Sequence, residues 1–348
     1  MISSKKNLSA ILGLKYPLIV APMAGGPSSP ELVIASCEAG ALGSVGAAYL
    51  DKTAIKEFVS KVRAKTQNPL AINLFIASNL PKISDVALAK AVQQTQKYRD
   101  EFNSLAPTLE PPYEEDFDKQ FEMILELKPA VFSFVFGCPP DEYLSAAHKA
   151  GIYTIGTATT AEECQRLEDA GVKAVVLQGF EAGGHRGIFD PNIDDPNISL
   201  ADLIKQVRGK TKIPIIGAGG IMNKIDVATV LQSGADAVQM GTAFLATKEA
   251  GTSSPYRNKL LSSADRKTKL TRAFSGRLAR GIENRFMNEI DTDPSSILPF
   301  PAQNKFTRDL RSASVAANSA EFLSLWCGTG RGELWTGATA ELINLLFS

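Results

Sequence analysis

Apolar residues along this chain gather in short runs, and several of those runs do not alternate with polar residues. Residues 18–20, 70–75, 130–136, 152–155, 174–177, 213–216 and 237–240 are apolar nearly throughout. A strand exposed on one face reads apolar and polar in turn. A strand covered on both faces reads apolar without interruption, so these runs predict a parallel sheet wrapped by helices. Residues 41–45 supply an eighth strand, the weakest of the set because Gly43 interrupts it.

Helix signals fill the gaps. Ser29-Pro30-Glu31 offers a cap, a proline at the first helical position and an acid in the first turn, and Gly40 ends that helix. Thr160-x-x-Glu163 reads as a capping box for a helix that ends at Gly171. Ser199-x-x-Asp202 opens a helix closing near Gly209, and Asn223-x-x-Asp226 opens one closing at Gly234. Ala39-Gly40, Ala150-Gly151, Ala170-Gly171 and Ser233-Gly234 recur where a helix gives way to a strand, the place for a left-handed glycine cap. Alternation with a shared junction predicts repeated βα units.

Two stretches break the rhythm. Residues 76–128 exceed one crossover and carry Pro107, Pro111 and Pro112, then Glu114-Glu115-Asp116, which reads as a solvated face or a helix start. From Pro255 the pattern turns helical, with an irregular proline-containing segment at 291–303. The expected architecture is α/β: a (β/α)₈ TIM barrel from residues 1–76 and 128–254, with a smaller, mainly helical second domain from 77–127 and 255–348. That second layer is placed to roof the C-terminal barrel face, where active sites lie.

Composition narrows the function classes. The 348 residues are 44% hydrophobic and 21% charged, with 37 basic and 37 acidic side chains, so the formal charge is zero. Such a balance gives no whole-chain attraction to nucleic acid or to anionic lipid. No apolar stretch approaches the roughly 18 residues of a membrane span, and the N-terminus lacks the apolar core of about 7–15 residues of a secretory leader. The four cysteines, Cys37, Cys138, Cys164 and Cys327, form no C-x-x-C pair, and there are two histidines. No metal site is expected, and the usage fits a reducing, cytoplasmic setting. The oligomeric state is left open between monomer and homodimer.

Candidate chemistry collects at strand ends. Gly217, Ala218, Gly219 and Gly220 follow the run at 213–216, and Gln239-Met240-Gly241-Thr242 ends the last run. Two adjacent βα turns thus offer bare backbone N–H groups, the arrangement with which a (β/α)₈ barrel cradles phosphate after its seventh and eighth strands. Residues 178–187, from Gln178 through Gly183, Gly184, His185 and Arg186, form a polar, glycine-rich loop after the run at 174–177. His185 has the side chain whose ordinary pKa suits proton exchange near neutrality. His148, by contrast, reads as a surface or packing residue. Ala21-Pro22-Met23 ends the first run, and Asn73 near the end of the 70–75 run can both donate and accept. A planar ring with an amide edge suits these pieces.

These motifs, in order, resemble those of the nitronate monooxygenases, formerly called 2-nitropropane dioxygenases. The resemblance runs from about Tyr16 to Trp326. Its most specific parts are Glu181-Ala182-Gly183-Gly184-His185-Arg186-Gly187 and the block Ala273-Phe274-Ser275-Gly276-Arg277-Leu278-Ala279-Arg280-Gly281. It implies an FMN-containing barrel that oxidises alkyl nitronates, propionate 3-nitronate among them, with O₂. It also implies that Gly217 to Gly220 and Gly241-Thr242 hold the FMN phosphate. Ala21, Pro22, Met23, Asn73, Gln178, Gly183, Gly184, Gln239 and Met240 would line the rest of the flavin, with His185 as the histidine beside it. Phe300 and Asn304 are the candidate substrate contacts, and Phe300 stands where relatives commonly have a tyrosine. The same barrel carries FMN-dependent enoyl reductases and NADH:quinone reductases, which share the Gly-Gly-His loop, whereas the 273–281 block and Arg186 favour the monooxygenase. A barrel with a catalytic cysteine, for which Cys138 is the one candidate, and a non-catalytic flavin-binding protein are the remaining alternatives.

Overall fold

The computed structural model describes residues 8–77, 81–262 and 266–348. At its centre are eight parallel strands: β1 (Leu18–Val20), β2 (Gly43–Gly46), β3 (Leu70–Phe75), β4 (Val131–Val135), β5 (Tyr153–Ala158), β6 (Ala174–Gln178), β7 (Ile215–Ala218) and β8 (Ala237–Met240). Neighbours follow chain order from β2 to β8, and β1 pairs with β8. Leu42, one residue before β2, bridges Ile19 in parallel, with Val20 N donating to Leu42 O at 2.9 Å. The ring therefore closes as a (β/α)₈ barrel, which leaves no unpaired sheet edge.

The uninterrupted apolar runs have their cause in two buried faces. Ile19, Ala71, Val131, Ile155, Val176, Ile216 and Ala237 pack together inside the barrel, joined by Leu8 and Leu12 of the helix Leu8–Leu12. Their neighbours Leu18, Val20, Leu70, Ile72, Phe132, Val175 and Val238 pack outward against the helices. All eight expected runs hold a strand, the glycine-interrupted one included. β5 and β7 extend beyond their runs, to Ala158 and Ala218, because pairing of Ala158 with Leu177 and of Ala218 with Gln239 carries the ladder past the apolar pattern.

The helix punctuation acts largely as the sequence suggests. Ser29, Asp116, Thr160, Ser199 and Asn223 each cap a helix with a side-chain oxygen. The junction glycines Gly40, Gly151, Gly171 and Gly234 have φ of +90°, +78°, +85° and +112°, the left-handed region that suits glycine. One motif departs from expectation. Thr160 accepts from Glu163 N, but the Glu163 carboxylate does not return to the cap. It accepts instead from Thr159 N at 2.6 Å, Thr159 Oγ1 at 2.7 Å and Phe189 N at 2.7 Å, and so ties the helix to the loop after β6.

The region beyond residue 255 is less purely helical than its pattern suggests. β9 (Thr268–Thr271) and β10 (Ala279–Ile282) form an antiparallel pair, and Gly184–His185 adds a third strand against β10. Thr-Lys-Leu-Thr and Ala-Arg-Gly-Ile have no clear period of their own; they pair with each other across residues 272–278, and the distant 184–185 segment completes the sheet on the far side of β10. The helices Phe117–Leu127 and Thr339–Leu346, which lie within the stretches assigned above to the second layer, bury Phe121, Ile124, Leu342 and Ile343 in the barrel's outer core. The helix Asp85–Glu101 packs instead on the C-terminal helices, with Tyr98 against Phe286 and Phe322.

Arg99 fastens that layer. Its side chain is fully buried and donates to both carboxylate oxygens of Asp309, at 2.7 and 3.2 Å, and to Phe306 O at 3.0 Å. Removing one partner of a buried pair strands the other, at a cost of about 3–5 kcal/mol; Asp309 is 24% exposed, so water recovers part of this. Arg99→Ala is expected to lower stability by about 2–4 kcal/mol, read from urea unfolding. A loss under about 0.5 kcal/mol would show that the pair does not hold the layers together.

Candidate active site

A cleft of about 820 Å³ opens at the C-terminal ends of the strands, under the roof made by the C-terminal segments. Every site residue expected from sequence lines it except Gly217 and Phe300. Gly217 has another job. A Cβ there would sit 2.5 Å from Val230 Cγ1 and 3.6 Å from Ile204 and Leu200, so this glycine lets two helices close on β7. Phe300 is 9% exposed and stands behind the wall, its ring 6.3 Å from that of His185 and 5.7 Å from that of Phe136. It lines a small side pocket with Tyr49, Tyr113 and Asn304.

The turn after β7 and the turn after β8 lie side by side. Among the described residues the backbone N–H groups of Gly219, Gly220, Gly241 and Thr242 donate to no protein acceptor. Unpaired N–H groups clustered at a cleft wall are uncommon, and they fit an anion such as a phosphate. Thr242 Oγ1 accepts from Gly328 N at 3.0 Å, which brings the C-terminal segment across this corner.

The loop after β6 is held from several directions. Gln178 Oε1 accepts from Arg186 Nη1 at 2.7 Å and from Gly187 N at 2.8 Å, and its Nε2 donates to His185 O at 3.0 Å. The amide orientation is thereby fixed, with one N–H left for the cleft. Arg186 is buried, ion-paired with Asp195 and bonded to Gly179 O at 2.7 Å. His185 is held through its main chain by pairing with Ala279, so the two most specific motifs of the sequence form one local sheet. Asn73 Nδ2 donates to Ser133 Oγ at 3.0 Å.

The imidazole sits among aromatic rings. Trp326 lies 5.4 Å from it, and Phe75 and Phe136 each 5.8 Å. His185 Nε2 is 2.8 Å from Ser275 Oγ, which accepts from Arg277 N at 3.2 Å and donates to Arg277 O at 3.1 Å. With the hydroxyl assigned as donor to Arg277 O, the proton between serine and imidazole is assigned to Nε2. Nδ1 then carries the lone pair, and it has no partner among the described residues. Burial, then the charges of Arg277 and Arg311, push the His185 pKa from 6.5 down to about 3. The ring is neutral at pH 7.

That shift has a consequence for stability. The unfolded chain takes a proton on this histidine as the pH falls below 6.5, and the folded chain resists until about 3. Stability is therefore complete above pH 6.5 and declines as the pH falls through that window. Thermal unfolding followed from pH 7.5 to 4.5 is expected to show a steeper decline for the parent protein than for His185→Gln. Parallel curves would mean that the ring is protonated in the folded state.

Sequence reasoning did not single out Tyr49, Trp326, Arg311 or the role of Ser275. Ser275 lay in the motif block, but its contact spans 90 residues of chain. Cys138 does not line the cleft, and burial pushes its thiol up to about 11, so it stays protonated and unreactive. His148 packs against Thr154 at 3.0 Å. Among the described residues there is no cluster suited to a metal and no helix long and apolar enough to cross a membrane.

Comparison with known proteins adds the following. Residues 5–348 match the family model for nitronate monooxygenase. A protein of Staphylococcus aureus (strain Newman) described as "Probable nitronate monooxygenase" is 34% identical over 326 residues, 93% of this chain and 91% of its own. The solved nitroalkane oxidase of Streptomyces ansochromogenes superposes with a TM-score of 0.90 at 35% identity, over 98% of this chain and 97% of that one. FabK of Thermotoga maritima superposes with a TM-score of 0.75 at 23% identity, covering 99% and 96%, and shares the fold.

Proposed function

The chain belongs to the nitronate monooxygenase family of oxidoreductases, and from that membership we propose that it oxidises alkyl nitronates with O₂ through bound FMN, propionate 3-nitronate being one substrate, in the cytoplasm. The observation that carries this reading is one cleft holding four unpaired backbone N–H groups at one side and a neutral, half-buried imidazole in its wall.

The residues fit a mononucleotide. The N–H groups of Gly219, Gly220, Gly241 and Thr242 would hold its phosphate, and the φ of +122° at Gly219 and +72° at Gly220 suits glycine at the first turn. Gln178, Asn73 and Gln239 offer amides along the cleft, and Ala21, Pro22 and Met23 form its low wall beside β1. When bound, FMN supplies the electron-accepting and oxygen-reactive chemistry. The chain itself binds, orients and moves a proton. A nitronate is a small anion and needs donors in a dry site. The Phe75, Phe136 and Trp326 rings give the wall around His185 an apolar lining. With a neutral nitroalkane as substrate, His185 Nδ1 takes the proton from the carbon bearing the nitro group. Ser275 Oγ holds Nε2–H and so keeps the lone pair on Nδ1.

Oxygen uptake by the purified holoenzyme on a panel of alkyl nitronates, with NADH alone as control, tests the proposal. Uptake with nitronates and none with NADH is the expected result. Rapid NADH oxidation with no nitronate turnover would assign the chain to reductase chemistry on the same barrel.

A further inference from the structure

Arg277, in the turn between β9 and β10, carries a buried charge with no ion-pair partner among the described residues. The residue is 4% exposed. Its Nη2 donates to Ile188 O, and its enclosed Nε has no acceptor. The acids that act on its charge, Glu163 and Asp190, are engaged elsewhere, Glu163 with Thr159 and Phe189 and Asp190 with Asn192. Withdrawing a guanidinium from water without a carboxylate is costly. Burial lowers its pKa only to about 10, so the group stays charged at neutral pH.

What holds this charge is a ring. The guanidinium carbon lies 3.7 Å from the centroid of Phe136 and 6.0 Å from that of Phe300. Phe136 follows β4 with φ of +79°, a left-handed conformation that a phenylalanine keeps only when its surroundings impose it. Its ring is 4.6 Å from Phe75, 5.7 Å from Phe300 and 5.8 Å from His185. Arg277 therefore stacks on the same ring that walls the imidazole. Its main chain reaches that imidazole by a second route, since Arg277 N and O bracket the Ser275 hydroxyl that meets His185 Nε2. The bond to Ile188 O adds the loop that follows His185. Arg266 also buries an unpaired Nε, but its Nη2 donates to Gly330 O and Gly332 O in the C-terminal segment.

We propose that Arg277 is a positioning residue for His185: its guanidinium presses the Phe136 ring into the wall beside the imidazole and sets an uncompensated positive charge at that ring, so that the imidazole works as a neutral acceptor. The catalytic meaning rests on the base role given to His185 above; the placement of charge and ring does not. The charged and titratable groups around the imidazole are few. Arg277 comes from the 272–278 turn and Arg311 from the helix Arg308–Ala316, and both act on its charge. Arg308 and Tyr49 share the cleft, and Arg186, next in the chain, is paired with Asp195. The rings packed against it, Phe75, Phe136, Phe300 and Trp326, do not titrate. Loss of a neighbouring positive charge raises the proton affinity of an imidazole, which gives the sign of the expected change.

The chain has two histidines, so a His148→Gln background leaves His185 as the single imidazole signal. Its ring resonances are followed by NMR in the labelled holoenzyme from pH 8 to 4. The parent signal is expected to stay in its neutral form almost throughout. In Arg277→Met the midpoint is expected to rise by about one unit or more, which brings the titration into the acid end of the range. Arg277→Lys keeps the charge without the flat fork and is expected to stay nearer the parent. Phe136→Leu removes the platform and leaves the charge, and it decides the matter if Arg277→Met does not fold. It is expected to raise the midpoint as well, and the double variant to add nothing beyond the larger single change. The acid limb of kcat/KM for a neutral nitroalkane is expected to move upward with the midpoint. Signals as flat as the parent's in the single variants, or shifts that add in the double variant, would overturn the proposal and leave Arg277 to the fold. If the midpoint moves as expected but no nitroalkane or nitronate is oxidised, the reaction assignment fails and the positioning of His185 by Arg277 stands.

Discussion

Replacing His185 with asparagine is expected to slow oxidation of neutral nitroalkanes by about 10²–10⁴-fold, the usual worth of a positioned general base. Oxidation of preformed nitronates is expected to fall much less, because they arrive without the proton in question. The structure gives the reason for the asymmetry. The ring is neutral, with its pKa pushed down to about 3, and Ser275 holds Nε2. The lone pair is therefore free at neutral pH, and because a low pKa also weakens the base, the loss is expected toward the lower end of that range. Asparagine keeps a polar side chain in the loop but cannot accept a proton. The main-chain pairing of His185 with Ala279 does not depend on the ring, so the loop and the flavin content are expected to survive. Initial rates of oxygen uptake on a nitroalkane and on its nitronate, each per mole of flavin, decide the matter. Equal losses on both substrates would reject the base role and leave His185 as a binding group.

A side chain at Gly219 is expected to remove the flavin. This residue has φ of +122°, where L-residues are strained, and a Cβ would lie 3.1 Å from Ala182 N and 3.4 Å from Gly179 O. Neither neighbour is a flexible side chain, so the turn itself must move. The unpaired N–H groups of the cradle move with it, and close approach of a phosphate is lost. Gly219→Val is therefore expected to be isolated colourless, folded and inactive. Strain alone, of order 1–3 kcal/mol, would also lower stability. Gly209→Ala provides the control, since Gly209 has φ of +82° and nothing within 4 Å of its would-be Cβ. That variant is expected to lose stability and keep its flavin. Retention of a full flavin complement by Gly219→Val would show that the phosphate lies elsewhere.

Much of the barrel was legible because its cause is local. A strand buried on both faces must be apolar throughout, and 18–20, 174–177 and 237–240 announce this directly. The caps at Ser29, Ser199 and Asn223 were legible for the same reason: each bonds a backbone N–H within three residues. The paired turns at 217–220 and 239–242 could be found because glycine-rich turns at strand ends have few other uses, although Gly217 serves helix packing. What remained hidden depends on long-range contacts. β10 is paired on one side by β9 and on the other by the 184–185 segment, and neither strand is announced by its own period. The Arg99–Asp309 pair spans 210 residues, and the contact of His185 with Ser275 spans 90. Arg308 and Arg311 are two of 37 basic residues, and only the fold reveals that both line the cleft.

The central claim is that two neighbouring turns hold the phosphate of a flavin mononucleotide in the cleft beside His185. Denaturing the purified protein and identifying the released chromophore by chromatography tests it most directly. The account predicts FMN in equimolar amount to the protein chain. Release of no flavin from protein saturated with FMN during refolding, or release of FAD in its place, would contradict it.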